Sequence, residues 1–284
     1  MSLKDILVHV DASRGHEARL RLAAALARRH QAHLTGLFIL EPMAVGSLGA
    51  LGGADGAEAE TFQIMQDKYR AARLELGTHL AAAFRSEADR AGIAAEWRAV
   101  EGEAAATMTL QTRYADLAVL GQADPDQPGA SAAVPEAVLL GAGRPVLVVP
   151  YIGAGDTIGR RVLVAWNATR EAARAVNDAL PLLVDADRVT VLSINPTRGI
   201  AGASDHAAGD LAHHLARHGV KAEAEYTVAE DISVGDVILS RAADFGSDLI
   251  VMGGYGHSRA REFVLGGATR SLFQHMTVPV LLSH

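Results

Sequence analysis

The sequence predicts an α/β protein made of two tandem doubly wound parallel sheets, each five-stranded with helices on both faces. Three observations predict it. Short runs rich in Val, Ile and Leu alternate with Ala/Leu-rich segments of helical period, the pattern of a parallel sheet covered on both sides. The pattern occurs twice, with three landmarks in the same order, which is the mark of an internal duplication. The length of 284 residues also suits two domains of the common size, about 100–150 residues each.

The landmarks are specific. "DILVHVDASRGHEARLRLAAALA" from Asp5 matches "RVLVAWNATREAARAVNDALPLL" from Arg161: a strand, a polar residue at its end, a short turn and a helix. "YADLAVLGQADPDQPG" from Tyr114 matches "GSDLIVMGGYGHSRAR" from Gly246, and "GRPVLVVP" ending at Pro150 matches "TVPVLLSH" ending at His284. Each half reads β-α-β-α-β-α-β-α-β. In the second half, strands are expected at about 161–166, 188–194, 221–227, 247–252 and 278–282, with helices at about 170–183, 205–218, 233–244 and 267–275.

Asp11 and Gly121 lie 110 residues apart, whereas Asn167 and Gly253 lie 86 apart. The first half, residues 1–150, therefore carries an insertion of about 24 residues, placed at about 41–64. Glycines in "EPMAVGSLGALGGADGAEAE", Glu41 to Glu60, argue for a loop there, and a long charged helix follows from about Thr61 to Ala91. A linker at 151–160 then leads to the second half, 161–284.

Composition removes several function classes. A net charge of −7 offers no general attraction for nucleic acid or acidic lipid. The absence of cysteine rules out disulfides, thiolate catalysis and Cys-ligated metal clusters, and suits a reducing, cytoplasmic setting. The apolar run near the N-terminus is too short for a signal-peptide core, and no run approaches the roughly 18 residues of a spanning helix. We therefore expect a cytoplasmic protein without nucleic-acid or membrane partners.

The chemistry concentrates where "DLIVMGGYGHSRAREFVLGGATRSLF" places Gly253, Gly254, Gly256, Gly266 and Gly267 between a strand and a helix. Ligands of open α/β sheets sit beyond the carboxyl ends of the strands. Glycine permits a tight loop with converging N–H groups, and the following helix start adds further donors and the positive end of its dipole. His257, Arg259 and Arg261 supply charge nearby. Neither the Walker spacing nor GxGxxG after the first strand is present.

The duplicated sheet, the polar strand end and the spacing G-x2-G-x9-G, met by Gly253, Gly256 and Gly266, resemble the universal stress protein family in its tandem form. That resemblance implies an adenine nucleotide alpha hydrolase-like fold with the halves related by an approximate twofold axis. It also implies a site for ATP or a related adenine nucleotide, with Mg²⁺ carried by the phosphates. Residue by residue, Asn167 with Ala168 would follow the first strand and Ile194 the second. Gly253 and Gly256 would meet ribose and phosphates with His257 beside them, and Gly266, Gly267 and Ala268 would receive phosphate at the helix start.

Two positions depart from the family pattern. Asn167 stands for the usual Asp, keeping an acceptor and adding a donor, and Gly267 stands for Ser or Thr. In the first half Asp11 and Gly121 remain, but Asp124 replaces the second glycine and Ala132 the third, so weak or absent nucleotide binding is expected there.

Other candidates carry less. His214 and His218 share a helix face without a third metal ligand, and strand alternation favours Trp166 in the core. His9 and Asp11 lie two apart with no nucleophile beside them. The leading expectation is a nucleotide-binding stress-response module that acts on an unidentified protein partner. A slow ATP-hydrolysing or phosphoryl-transferring enzyme and a scaffold without nucleotide are the alternatives. The final strands of the halves are expected near one another, as in a dimer made from one chain, and a further homodimer is compatible with this plan.

Overall fold

The computed structural model describes residues 2–43, 56–126, 133–155, 157–195, 206–255 and 267–284. In the first half β1 (Asp5–His9), α1 (His16–His30), β2 (His33–Leu40), α2 (Gly56–Ala91), β3 (Ala95–Glu101), α3 (Ala104–Thr112), β4 (Leu117–Gly121), α4 (Val134–Gly141) and β5 (Val146–Val149) follow one another. The second half repeats the series as β6 (Arg161–Ala165), α5 (Arg170–Leu183), β7 (Arg188–Ile194), α6 (Ala207–Arg217), β8 (Ala222–Thr227), α7 (Val234–Asp244), β9 (Leu249–Gly253), α8 (Gly267–His275) and β10 (Val280–Ser283). Local capping starts these helices where the hydrophobic period does. The Thr169 hydroxyl accepts from the Ala172 N–H at 3.3 Å to open α5, and the Ser233 hydroxyl accepts from the Asp236 N–H at 3.1 Å to open α7.

The strands form one continuous sheet in the order β3-β2-β1-β4-β5-β10-β9-β6-β7-β8, which corrects the expectation of two separate five-stranded sheets. Within each half the pairings are parallel; β5 and β10 run antiparallel, with Val148 opposite Val280, Leu147 opposite Leu281 and Val146 opposite Leu282. The reason is the chemistry of these two strands. Each would otherwise expose a row of unpaired N–H and C=O groups beneath mostly apolar side chains, and pairing satisfies both at once. The register is symmetric about Leu147 and Leu281, so the approximate twofold passes there.

One face of the sheet is covered by α1, α2, α5 and α6, whose apolar residues make one core with Leu147 and Leu281. The other face is covered by α3, α4, α7 and α8, packed on Val146, Val148, Val280 and Leu282. The repeated Asp-Leu landmark has a structural task at the amino ends of the strands. Asp116 accepts from the N–H groups of Lys4 at 2.7 Å and Asp5 at 3.1 Å. Asp248 accepts from those of Gly159, Arg160 and Arg161 at 2.9–3.1 Å. Each carboxylate thereby fixes the start of its neighbouring strand, β1 or β6.

Helix α2 begins at Gly56, earlier than the loop assigned through Glu60, because Ala57 to Glu60 are strong helix formers. Its inner end is seated on aromatics. Trp97 stacks on Phe38 with centroids 6.1 Å apart and meets Phe84 at 5.7 Å. A Cβ on Gly36 would lie 2.5 Å from the Phe84 ring, and one on Gly77 2.8 Å from the Phe38 ring.

The central junction yields a test. Leu147 and Leu281 are buried to within 1% of full, so Leu147→Ala and Leu281→Ala should each lower the unfolding free energy by about 2–5 kcal/mol. Because the two residues are cross-strand partners, the double variant should depart from additivity; denaturant titration of the full chain measures both.

Candidate functional site

The two halves present corresponding crevices at the carboxyl ends of β1 and β4, and of β6 and β9, where the strand order reverses. In the second half the turn after β6 is built by Asn167. Its Oδ1 accepts from the Thr169 N–H at 3.2 Å and the Thr169 hydroxyl at 2.9 Å. The acceptor is thus used within the turn, which leaves the exposed side chain its amide donor to offer. Ala168 follows at φ +57°, a left-handed conformation costly for a residue with a Cβ.

Trp166 packs partly buried against the core, as strand alternation suggested. Its Nε1 is buried and has no partner among the described residues. Ile194 ends β7 on the opposite face, packed against the second core. Beyond it, Asn195 extends the sheet with its side chain: Nδ2 donates to the Ala229 carbonyl at 3.0 Å, and Oδ1 accepts from the Ala229 N–H at 2.8 Å.

The glycines divide by task. A Cβ on Gly253 would lie 2.4 Å from the Ala172 nitrogen, so this glycine lets the first turn of α5 close on the end of β9. Gly254 gives way to Leu139 of the first half, whose Cδ2 would be 2.6 Å from a Cβ there. Gly267 opens α8, and a Cβ on it would meet none of the described residues within 4 Å. Ala268 is partly buried against the core. Gly256, His257, Arg259, Arg261 and Gly266 lie outside the described residues, as does Ala132 in the first half.

The first-half crevice is filled from within. Arg19 of α1 is 2% exposed. Its Nε donates to the His9 carbonyl at 2.9 Å, Nη2 to Asp11 Oδ1 at 2.7 Å and Nη1 to the Ser13 hydroxyl at 3.4 Å. A Cβ on Gly121 would fall 1.9 Å from Nη1, so the glycine retained at the end of β4 makes room for this guanidinium. Asp124, which replaces the second glycine of the motif, is buried and accepts from the Asp126 N–H at 3.0 Å. Arg19 went unremarked because an arginine in an Ala/Leu-rich helix looks like an ordinary exposed residue; its companion signal was the repeat itself, since Ala175 stands at the matching position of the second half.

An acid also escaped the sequence reading. Glu171, in the first turn of α5, is 4% exposed and lies against Gly253, its carboxylate bonded to Arg170. The rings of His214 and His218 meet at 4.9 Å, yet no group of three or more potential metal ligands gathers among the described residues. A cavity of about 490 Å³ lies at the ends of β2 and β3 under α2, where Arg70 Nε donates to Glu101 at 3.1 Å. Among the described residues no helix is long and apolar enough to cross a membrane.

Burial pushes His9 down to about 4, against the pull of Asp11 and with the help of the Arg19 and Arg73 charges. Burial pushes the Asp11 carboxyl up, but Arg19, His9 and the bonds from Ser13 hold it well below the usual carboxylate range.

The sequence model of the universal stress protein family matches residues 2–150 and 159–284. Among solved structures, a universal stress protein from Archaeoglobus fulgidus DSM 4304 superposes with a TM-score of 0.74 at 17% identity, over 98% of this chain and 95% of that one. A functionally unknown protein from Pseudomonas aeruginosa PAO1 gives 0.61 at 15% identity, over 99% and 92%. No curated protein matches the sequence.

The His9 cluster makes stability depend on acid. The unfolded histidine takes its proton near 6.5 and the folded one near 4, so the unfolded chain binds more protons between those values and stability is lost as pH falls through them. His30, lowered chiefly by burial, acts in the same direction. Urea titrations should show the unfolding free energy falling by about 1–3 kcal/mol from pH 7 to pH 4, with a shallower fall in His9→Gln; a flat profile in the native chain would refute the assignment.

Proposed function

The chain belongs to the universal stress protein family, and on that premise we propose that it binds ATP or a related adenine nucleotide in the second-half crevice, as a regulatory binding module rather than an enzyme. The observation that carries this reading is the difference between the two crevices. The first is occupied by the Arg19 guanidinium, clamped by His9, Asp11 and Ser13. In the second, Asn167 and Ala168 are exposed at the rim, and no described residue lies within 4 Å of a Cβ placed on Gly267.

In this reading the Asn167 amide and Ala168 meet the base and ribose, with Ile194 supplying an apolar edge. The phosphates are held by main-chain N–H groups at Gly267 and Ala268, where the start of α8 favours negative charge. Gly253 shapes the end of β9, and Gly256, His257 and Gly266 complete the loop. Mg²⁺ would arrive with the phosphates. A protein partner would respond to the occupied state, in the cytoplasm.

The surroundings favour binding over turnover. Phosphoryl transfer requires a carboxylate that holds metal or orients a nucleophile. Glu171, the acid beside Gly253, is buried and bonded to Arg170, so its charge is already spoken for.

Isothermal titration of nucleotide-free protein with ATP, with and without Mg²⁺, tests the proposal. One site per chain and no sustained hydrolysis are expected; absence of binding heat together with absence of thermal stabilisation by adenine nucleotides would leave a scaffold. Position 267 sharpens the test. Gly267→Ser meets none of the described residues and adds a hydroxyl donor, and should tighten ATP binding about twofold to tenfold.

A further inference from the structure

Helix α4 of the first half packs directly on the two residues that leave β9 in the second. Leu139 is 1% exposed, and it comes so close to Gly254 that no side chain could stand between them. Within its own half Gly254 is fixed as well: its N–H donates to the Ser283 carbonyl at 2.9 Å, and its carbonyl lies 3.1 Å from His284 Nδ1. Gly254 is therefore pinned between β10 and a helix from the other half.

Tyr255 follows at φ +52°, a left-handed conformation that is costly for a residue with a Cβ. Such a conformation persists where its surroundings hold it. The Tyr255 N–H reaches the Thr269 hydroxyl only at 3.4 Å, a long bond. A second neighbour comes from across the junction, where Tyr255 and Glu136 line one cavity and the Glu136 carboxylate acts on the Tyr255 phenol. Glu136 lies three residues before Leu139, so both stand on one face of α4. Burial, followed by the Glu136 carboxylate, raises the Tyr255 phenol above its usual range despite Arg270, so the hydroxyl stays a donor.

The contact has a counterpart. Gln122, the residue after Gly121, donates through Nε2 to the Phe273 carbonyl of α8 at 2.9 Å and accepts through Oε1 from the Tyr151 N–H at 3.1 Å. Each half's last helix thus holds the exit of the other half's fourth strand. A cavity of about 360 Å³ lies between the two contacts, lined among others by Gln122, Glu136, Tyr255 and Phe273.

We infer that α4, through Glu136 and Leu139, positions the start of the glycine-rich loop of the second half, so that the first half forms part of a nucleotide site that its own crevice does not provide. The consequence for nucleotide rests on the function proposed above; the contact itself does not. Glu136 and Tyr255 are positioning residues, acting on the loop through Gly254 and Tyr255.

Two variants test this, Glu136→Ala and Tyr255→Phe, the second keeping the ring while removing the hydroxyl. In nucleotide-free protein, amide exchange of the peptide carrying Gly254 and Tyr255 should accelerate in both, while that of β6 stays unchanged. ATP affinity should fall about threefold to tenfold in each, and the double variant should lose no more than the worse single one, since both remove the same contact. Unchanged exchange in both variants overturns the inference, and so does faster exchange with native ATP affinity. Were the native chain to bind no adenine nucleotide, the functional reading would fall, and exchange would still decide whether α4 holds the loop.

Discussion

The antiparallel pairing of β5 with β10 is the constraint on which the rest of the molecule depends. Without it each half would end in an exposed apolar strand whose backbone groups lacked partners. With it the halves share one sheet and two continuous cores, and each half's last helix is carried over the other half's strand ends. The reach of α4 to Gly254 and Tyr255, and of Gln122 to α8, follows from that single register. A duplication that merely tethered two domains would have produced neither contact.

Upon this shared frame the two crevices have been filled differently. A buried guanidinium is unfavourable unless its charge and donors are met, and Arg19 meets them with Asp11, Ser13 and the His9 carbonyl. The arrangement uses the same strand-end acid and the same glycine that a ligand site would use. In the second half, Asn167 closes the corresponding turn without a charge, and no internal cation is needed to balance it. The half with an acid at the end of its first strand is also the half in which an arginine lies against that strand end.

The alternation of strands and helices, the duplication and the second-half element boundaries were legible in the sequence because hydrophobic period and caps at Thr169 and Ser233 agree there. The repeated Asp-Leu was visible as a landmark, although its reason, N–H groups of a neighbouring strand collected by Asp116 and Asp248, appears only in three dimensions. The continuous sheet was not legible, since an apolar terminal strand looks the same whether it pairs or is covered by a helix. The glycines were read as a single feature serving a ligand. Gly253 and Gly254 in fact serve packing against α5 and α4, and packing partners distant in sequence leave no periodic trace. Gly267 is the described glycine of this run that packing does not demand.

Backbone strain distinguishes the halves in the same sense. Among the described residues, the non-glycine positions with positive φ are Gln31, Ala168, Asn195, Asp231 and Tyr255. Gln31 caps the end of α1, where a left-handed residue is ordinary. The other four follow β6, β7, β8 and β9 in turn, one at the exit of each strand that borders the second-half crevice or its flank. The cost is about 1 kcal/mol or more at Ala168 and Tyr255 and less at Asn195 and Asp231, residue types that enter this region more readily, and no comparable series occurs among the described residues at the strand exits of the first half. Strain of this kind survives where surrounding contacts impose it: the Asn167–Thr169 turn at Ala168, the Ala229 clamp at Asn195 and Glu136 at Tyr255. The half whose crevice holds its own arginine shows no such series among its described strand exits, while the other half carries one, partly by means of contacts that the first half supplies.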